Sequence, residues 1–128
     1  MLRFLSADWL RAFDGALRAH EGLSERFAAN PISIAQEITS DAEVIRYAVV
    51  LDASGGRIET GDRGEADVTF VCDRETAAGL AQGNVNAQRA LTGGRLKIKG
   101  EVDRLAAASG ALAGLGDLLA GLRADTEF

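Results

Sequence analysis

The sequence predicts one mixed domain of helices and strands, with helical segments at both ends and most of the strands between them. Three observations carry this reading. Apolar residues repeat with a helical period over 6–20 and again over 105–122. They alternate with polar residues, the period of a strand, over 32–38, 44–52, 67–73 and 95–100. The length of 128 residues, 13.4 kDa, suits a single hydrophobic core and is too short for two independent ones.

Composition narrows the function classes. Apolar residues make up 47% and charged residues 26%, a balance that excludes a disordered or fibrous chain. Fourteen basic against nineteen acidic residues give a net charge of -5. Such a surface repels phosphate backbones, so no nucleic-acid partner is expected. The one cysteine, Cys72, cannot close an internal disulfide, and Asp8 interrupts the short apolar start from Met1 to Ala7. A reducing, cytoplasmic compartment is expected. With a single His and a single Cys, a multi-ligand zinc cluster is not expected, and histidine catalysis would rest on His20 alone.

The elements follow in order. Ser6 is a good N-cap, Leu5 and Leu10 occupy the positions of a hydrophobic staple, and Trp9, Leu10, Phe13, Leu17 and His20 form one stripe of a helix over 6–20. His20 reads as a polar residue at the negative pole of that helix, with a ligand or base role as the alternative. Ile32, Ile34 and Ile38 alternate with Ser33 and Glu37 in a half-buried strand. A second strand, Val44 to Asp52, sets Ile45, Tyr47, Val49 and Leu51 on one face and the less polar set Arg46, Ala48 and Val50 on the other. Ser54-Gly55-Gly56 signals a turn into a short strand, Arg57 to Thr60. A polar loop then leads to Asp67–Asp73, where Val68, Phe70 and Cys72 share a face. Cys72 reads as a small core side chain, since Asp73 beside it opposes a reactive thiolate.

From Asp73 the period is helical again. Asp73 caps a short helix ending at Gly83, and Asn86 caps another ending at Gly93-Gly94. Arg95 to Gly100 is an amphipathic strand with Leu96 and Ile98 inward, and Arg95, Lys97 and Lys99 forming a solvated or charge-protected edge. The stretch from Leu105 to Leu122 is long enough for a bilayer, but Asp117 and four glycines dilute it. Two shorter amphipathic helices broken at Ser109-Gly110 are expected instead. No phosphate loop, dinucleotide fingerprint, calcium loop or nucleophile elbow is legible, and neither a catalytic set nor a metal set is assigned.

The segment Ala66 to Leu105 carries a resemblance. It reads Ala-Asp-Val-Thr-Phe-Val-Cys-Asp, then a short helix to Leu80 and Gly83, then Asn86, Gln88, Ala90 and Leu91, and finally Gly94-Arg-Leu-Lys-Ile-Lys-Gly100. This order resembles the sterol carrier protein family, specifically over about forty residues and through element order elsewhere. The resemblance implies an α+β fold. Its five-stranded, mostly antiparallel sheet is covered on one face by helices, and an apolar tunnel between them takes sterols, fatty acids, acyl-CoA or phospholipids without catalysis. It implies no cofactor. It also leaves room for transient membrane contact, a homodimer or a partner enzyme. Residues 1–128 would form one such lipid-binding domain.

By matching the motif, Phe70, Leu80, Leu91, Leu96 and Ile98 fall near the tunnel, with Val85 between the two short helices. Leu112, Leu115, Leu119 and Leu122 would form the apolar side of a terminal helix that lids or opens it. Ordinary core packing uses the same residue types. Ala77, Ala78, Ala87, Thr92 and Gly93 are smaller or more polar than the family's usual residues, a pattern that would widen or shift the cavity. A second function class, an assembly module that docks a partner or a second copy through Leu112–Leu122, uses the same tail differently.

Overall fold

The computed structural model describes residues 2–60, 66–82, 84–113 and 116–128. After a short strand β1 (Leu2–Arg3), the opening helix forms where its signals place it. Ser6 takes extended backbone, and its hydroxyl accepts the Trp9 N–H at 3.1 Å to cap α1 (Ala7–Ala19). Trp9, Phe13 and Leu17 are its buried stripe, and His20 is the C-cap. A short helix, α2 (Leu23–Ala28), follows from Gly22 at φ +86° and buries Leu23 and Phe27. Its six residues are too few for a period to be read in the sequence.

The strands are β2 (Ile32–Ser40), β3 (Glu43–Asp52), β4 (Gly55–Thr60) and β5 (Val68–Asp73). Asp73 then caps α3 (Arg74–Gln82), its carboxylate accepting the Thr76 N–H at 2.7 Å. Asn86 caps α4 (Ala87–Thr92) through the Arg89 N–H at 3.1 Å. The last strand of the sheet is β6 (Lys97–Gly100), and the order across the sheet is β4-β3-β2-β5-β6. Neighbours run antiparallel except β2 and β5, which are parallel. The expected α+β architecture with a five-stranded, mostly antiparallel sheet is therefore what the chain adopts.

Register decides which face the helices cover. Ile32, Ile34, Gln36 and Ile38 lie beside Leu51, Val49, Tyr47 and Ile45 of β3, and the last three of them beside Val68, Phe70 and Cys72 of β5. The Trp9 ring meets Tyr47 edge-on at 6.2 Å from above this face. Gly56 lets the helices come down on it, since a Cβ there would stand 2.9 Å from Leu23 Cδ1 and 3.3 Å from Leu17 Cβ. The fully buried side chains Phe27, Leu17, Leu23, Ile32, Ile38, Leu51 and Val68 mark the densest part of the core. On the opposite face Arg57 pairs with Asp52 at 3.2 Å and Glu59 at 3.7 Å, and Lys97 and Lys99 stand exposed on the β6 edge.

The tail corrects one expectation. The helix α5 (Val102–Ala113) runs straight through Ser109 and Gly110, and α6 (Gly116–Ala124) begins after it. One glycine in a helix interior costs about 1 kcal/mol, which the alanine-rich surroundings of Gly110 offset. Among the described residues no helix is long and apolar enough to cross a membrane.

The chain closes with β7 (Thr126–Glu127) pairing parallel to β1, a contact between distant segments that no local pattern announces. Trp9 Nε1 donates to the Thr126 hydroxyl at 3.0 Å, and that hydroxyl donates to the Leu122 carbonyl at 2.6 Å. Thr126→Val keeps the shape but leaves the buried indole N–H unpaired, while the Leu122 carbonyl keeps the Asp125 N–H at 3.2 Å. A loss of about 1–3 kcal/mol in chemical denaturation is expected, with less than about 0.5 kcal/mol as the result against it.

Candidate functional site

On the covered face one row of side chains crosses the whole sheet. Thr60 of β4 pairs with Tyr47, Tyr47 with Gln36, Gln36 with Phe70, and Phe70 with Ile98 of β6. Side chains directly opposite each other in such a row stand about 5 Å apart. A row at the centre of a covered face would be buried throughout in a solid core. Here only Tyr47 is, at 7% exposure, while Gln36, Phe70 and Ile98 are half-buried. Leu80 of α3, a helix that packs on β2 and β5, and Val85 also pack on the core without being sealed by it. Val85 sits where it does because Gly79 has no side chain, and its N–H donates to the Gly79 carbonyl at 3.1 Å.

The sequence-predicted residues fall into five groups. Phe70 and Ile98 are register partners, and Leu80 and Val85 join them in the half-buried apolar set. Leu96 is at 3% exposure because a turn in which Arg95 N–H and Leu96 N–H donate to the Ala90 carbonyl drops it into the core before β6 begins. Leu91 turns outward at 44% exposure, since α4 presents its neighbour Ala90 to the core, and Leu91 lies about 100° further round the helix. Leu122 lines a cleft of about 470 Å³ between α1 and α6, with Ala12, Ala16 and Leu118. Leu115 and the side chains of Leu112 and Leu119 lie outside the described residues, as does Gly83.

A second cleft, about 490 Å³, opens between α1 and the β4 edge. Leu10, Arg11, Asp14, Ile58 and Thr60 line it, so it meets the β4 end of the central row. Asp14 ties its two walls together, accepting the Ile58 N–H at 2.7 Å and Arg18 Nε at 2.8 Å. Burial pushes the Asp14 carboxyl upward, but the Ile58 and Arg18 contacts outweigh it and leave it below the ordinary carboxylate value. A lowered folded pKa gives stability that is present above the unfolded value and lost as pH falls through the folded one. Asp14→Asn should therefore be less stable than the parent at neutral pH. That gap should close as urea midpoints are followed below about pH 4, the range of an unfolded Asp, and a gap that widens would contradict the arrangement.

Cys72 is buried, and burial followed by the neighbouring Asp73 pushes its thiol upward, away from the nucleophilic form. His20 Nδ1 lies 2.9 Å from the Glu21 carbonyl at the end of α1. Among the described residues no group of three His, Cys, Asp or Glu could hold a metal ion. Gln36 is the residue that sequence reading misses. Its signal is there, because it stands in phase with Ile32, Ile34 and Ile38, a polar residue on an apolar beat.

The SCP-2 sterol transfer family matches residues 13–113, and the chain belongs to that family. Solved structures share the fold. Sterol carrier protein 2 from Yarrowia lipolytica in its apo form is 23% identical with a TM-score of 0.66, over 94% of this chain and 93% of that one. A Thermus thermophilus protein described as a candidate sterol carrier protein is 18% identical with a TM-score of 0.71, over 100% of this chain and 93% of that one. A crystal structure of sterol carrier protein 2 is 21% identical with a TM-score of 0.67, over 94% of this chain and 97% of that one. No curated sequence matches.

Proposed function

We propose that this protein is a non-catalytic lipid carrier that holds an alkyl chain between the sheet and its covering helices. The observation that carries the reading is the half-buried set Phe70, Ile98, Leu80 and Val85, apolar side chains on or above the covered face that the protein's own packing leaves unsealed. Family membership supports it. Each methylene withdrawn from water contributes about 0.8 kcal/mol, so a sixteen-carbon tail gains about 12 kcal/mol gross. Association and ordering costs remove much of that. Selectivity among apolar chains is then loose, because no directional contact to the tail is needed.

Native mass spectrometry of the protein purified from cells tests the proposal, followed by titration of the delipidated chain with a fluorescent fatty acid. Co-purified lipid, or saturable uptake at one equivalent per chain, is the expected result. A protein that emerges empty and takes up neither fatty acids nor sterols overturns it.

A further inference from the structure

Gln36 occupies the middle residue of the middle strand on the face that the helices cover. It lies between Tyr47 on one side and Phe70 on the other. Neither the Gln36 amide nor the Tyr47 hydroxyl has a hydrogen-bond partner among the described residues, although Tyr47 is more than nine-tenths buried. Every buried side-chain nitrogen or oxygen among the described residues does have one. The two free groups therefore face space that a water-sized body can touch. An unpartnered amide and phenol beneath packed helices cost free energy unless something enters to bond them.

The chemistry of that occupant can be read from the pair. Tyr47 offers a hydroxyl that both donates and accepts, and burial raises its pKa far above neutrality, so it keeps its proton. Gln36 offers two donors and an acceptor. The row Thr60, Tyr47, Gln36, Phe70, Ile98 contains no charged residue, so a carboxylate or phosphate between Tyr47 and Gln36 would find no counter-charge within the row. Arg11 lines the cleft beyond Thr60 and pairs with Asp8. We propose that Gln36 and Tyr47 form the polar end of the binding site, taking the uncharged hydroxyl or carbonyl group of a long-chain lipid whose alkyl part lies over Phe70 and Ile98. This rests on the carrier reading and adds the headgroup class that the carrier prefers.

The test compares three sixteen-carbon probes, hexadecanol, palmitate and hexadecane, by displacement of an apolar fluorescent dye from the full chain. The parent should bind hexadecanol more tightly than either other probe. Tyr47→Phe and Gln36→Leu should each weaken hexadecanol about fivefold and leave hexadecane unchanged or tighter, one neutral hydrogen bond being worth about that factor. Both replacements are close in volume, and thermal melts check that each variant folds, so either alone suffices if the other does not. Variants that bind hexadecanol as the parent does, or a parent that prefers palmitate, overturn the headgroup assignment while the carrier reading stands. A parent that binds none of the three probes overturns both.

Discussion

Gly100→Ala should lower the stability of the domain by about 3 kcal/mol, close to ~10 °C in Tm for a chain of this size. Gly100 ends β6 with φ +101°, a conformation an L side chain rarely adopts. A Cβ there would also collide with the Asp67 carbonyl oxygen and stand 3.2 Å from the Asp67 carbonyl carbon. Neither can move cheaply. That carbonyl accepts the Glu101 N–H at 2.8 Å, and the Asp67 side chain accepts the Ser33 N–H at 2.9 Å and Arg104 Nη1 at 3.0 Å. The approach to β5 and the starts of α5 and β2 are thus pinned to one residue that Gly100 must meet closely. A urea midpoint within experimental error of the parent would show that the close approach is not required.

Phe27→Ala should cost about 3–5 kcal/mol, a large part of the roughly 5–15 kcal/mol typical of a whole domain. Phe27 is 0% exposed and sits on α2, which packs on β3, β4 and α5 at once. Removing the ring opens a cavity where α2 meets those three elements, and leaves Leu23 as the helix's one remaining buried side chain. Denaturation should remain cooperative with a lower midpoint, and a loss below about 1 kcal/mol would mean that the site collapses around the gap. Measuring the variant with and without added fatty acid separates core damage from any change in ligand uptake.

The two variants fall at places of very different legibility. Gly100 closes the Gly-x-Leu-x-Ile-x-Gly run, and the caps Ser6, Asp73 and Asn86 each do in space what their side chains announce in sequence. Those signals are local, carried by residues within a few positions of one another. Phe27 lies in a helix shorter than two turns, where no periodicity can develop. The β1–β7 pair and the parallel β2–β5 pair join distant segments, and nothing near either strand specifies its partner. Within the candidate site, alternation places Phe70 and Ile98 on the same face. It cannot say that Leu96, two residues before Ile98, leaves the strand to fill the core, or that Leu91 turns outward while Ala90 turns in. Gln36 is hidden by its neighbours: three isoleucines define the face, and the one polar residue in their phase does not stand out.

The lone parallel seam has a consequence for how the molecule is made. Strands β2, β3 and β4 join by tight reversals and can zip together as soon as they leave the ribosome. Strand β5 must instead travel back across that meander before it can dock, bringing β6 and the last helices behind it. The newborn chain therefore completes one wall before the other half of the sheet exists, and on the carrier reading proposed above a lipid present during synthesis would meet the site at the moment it closes.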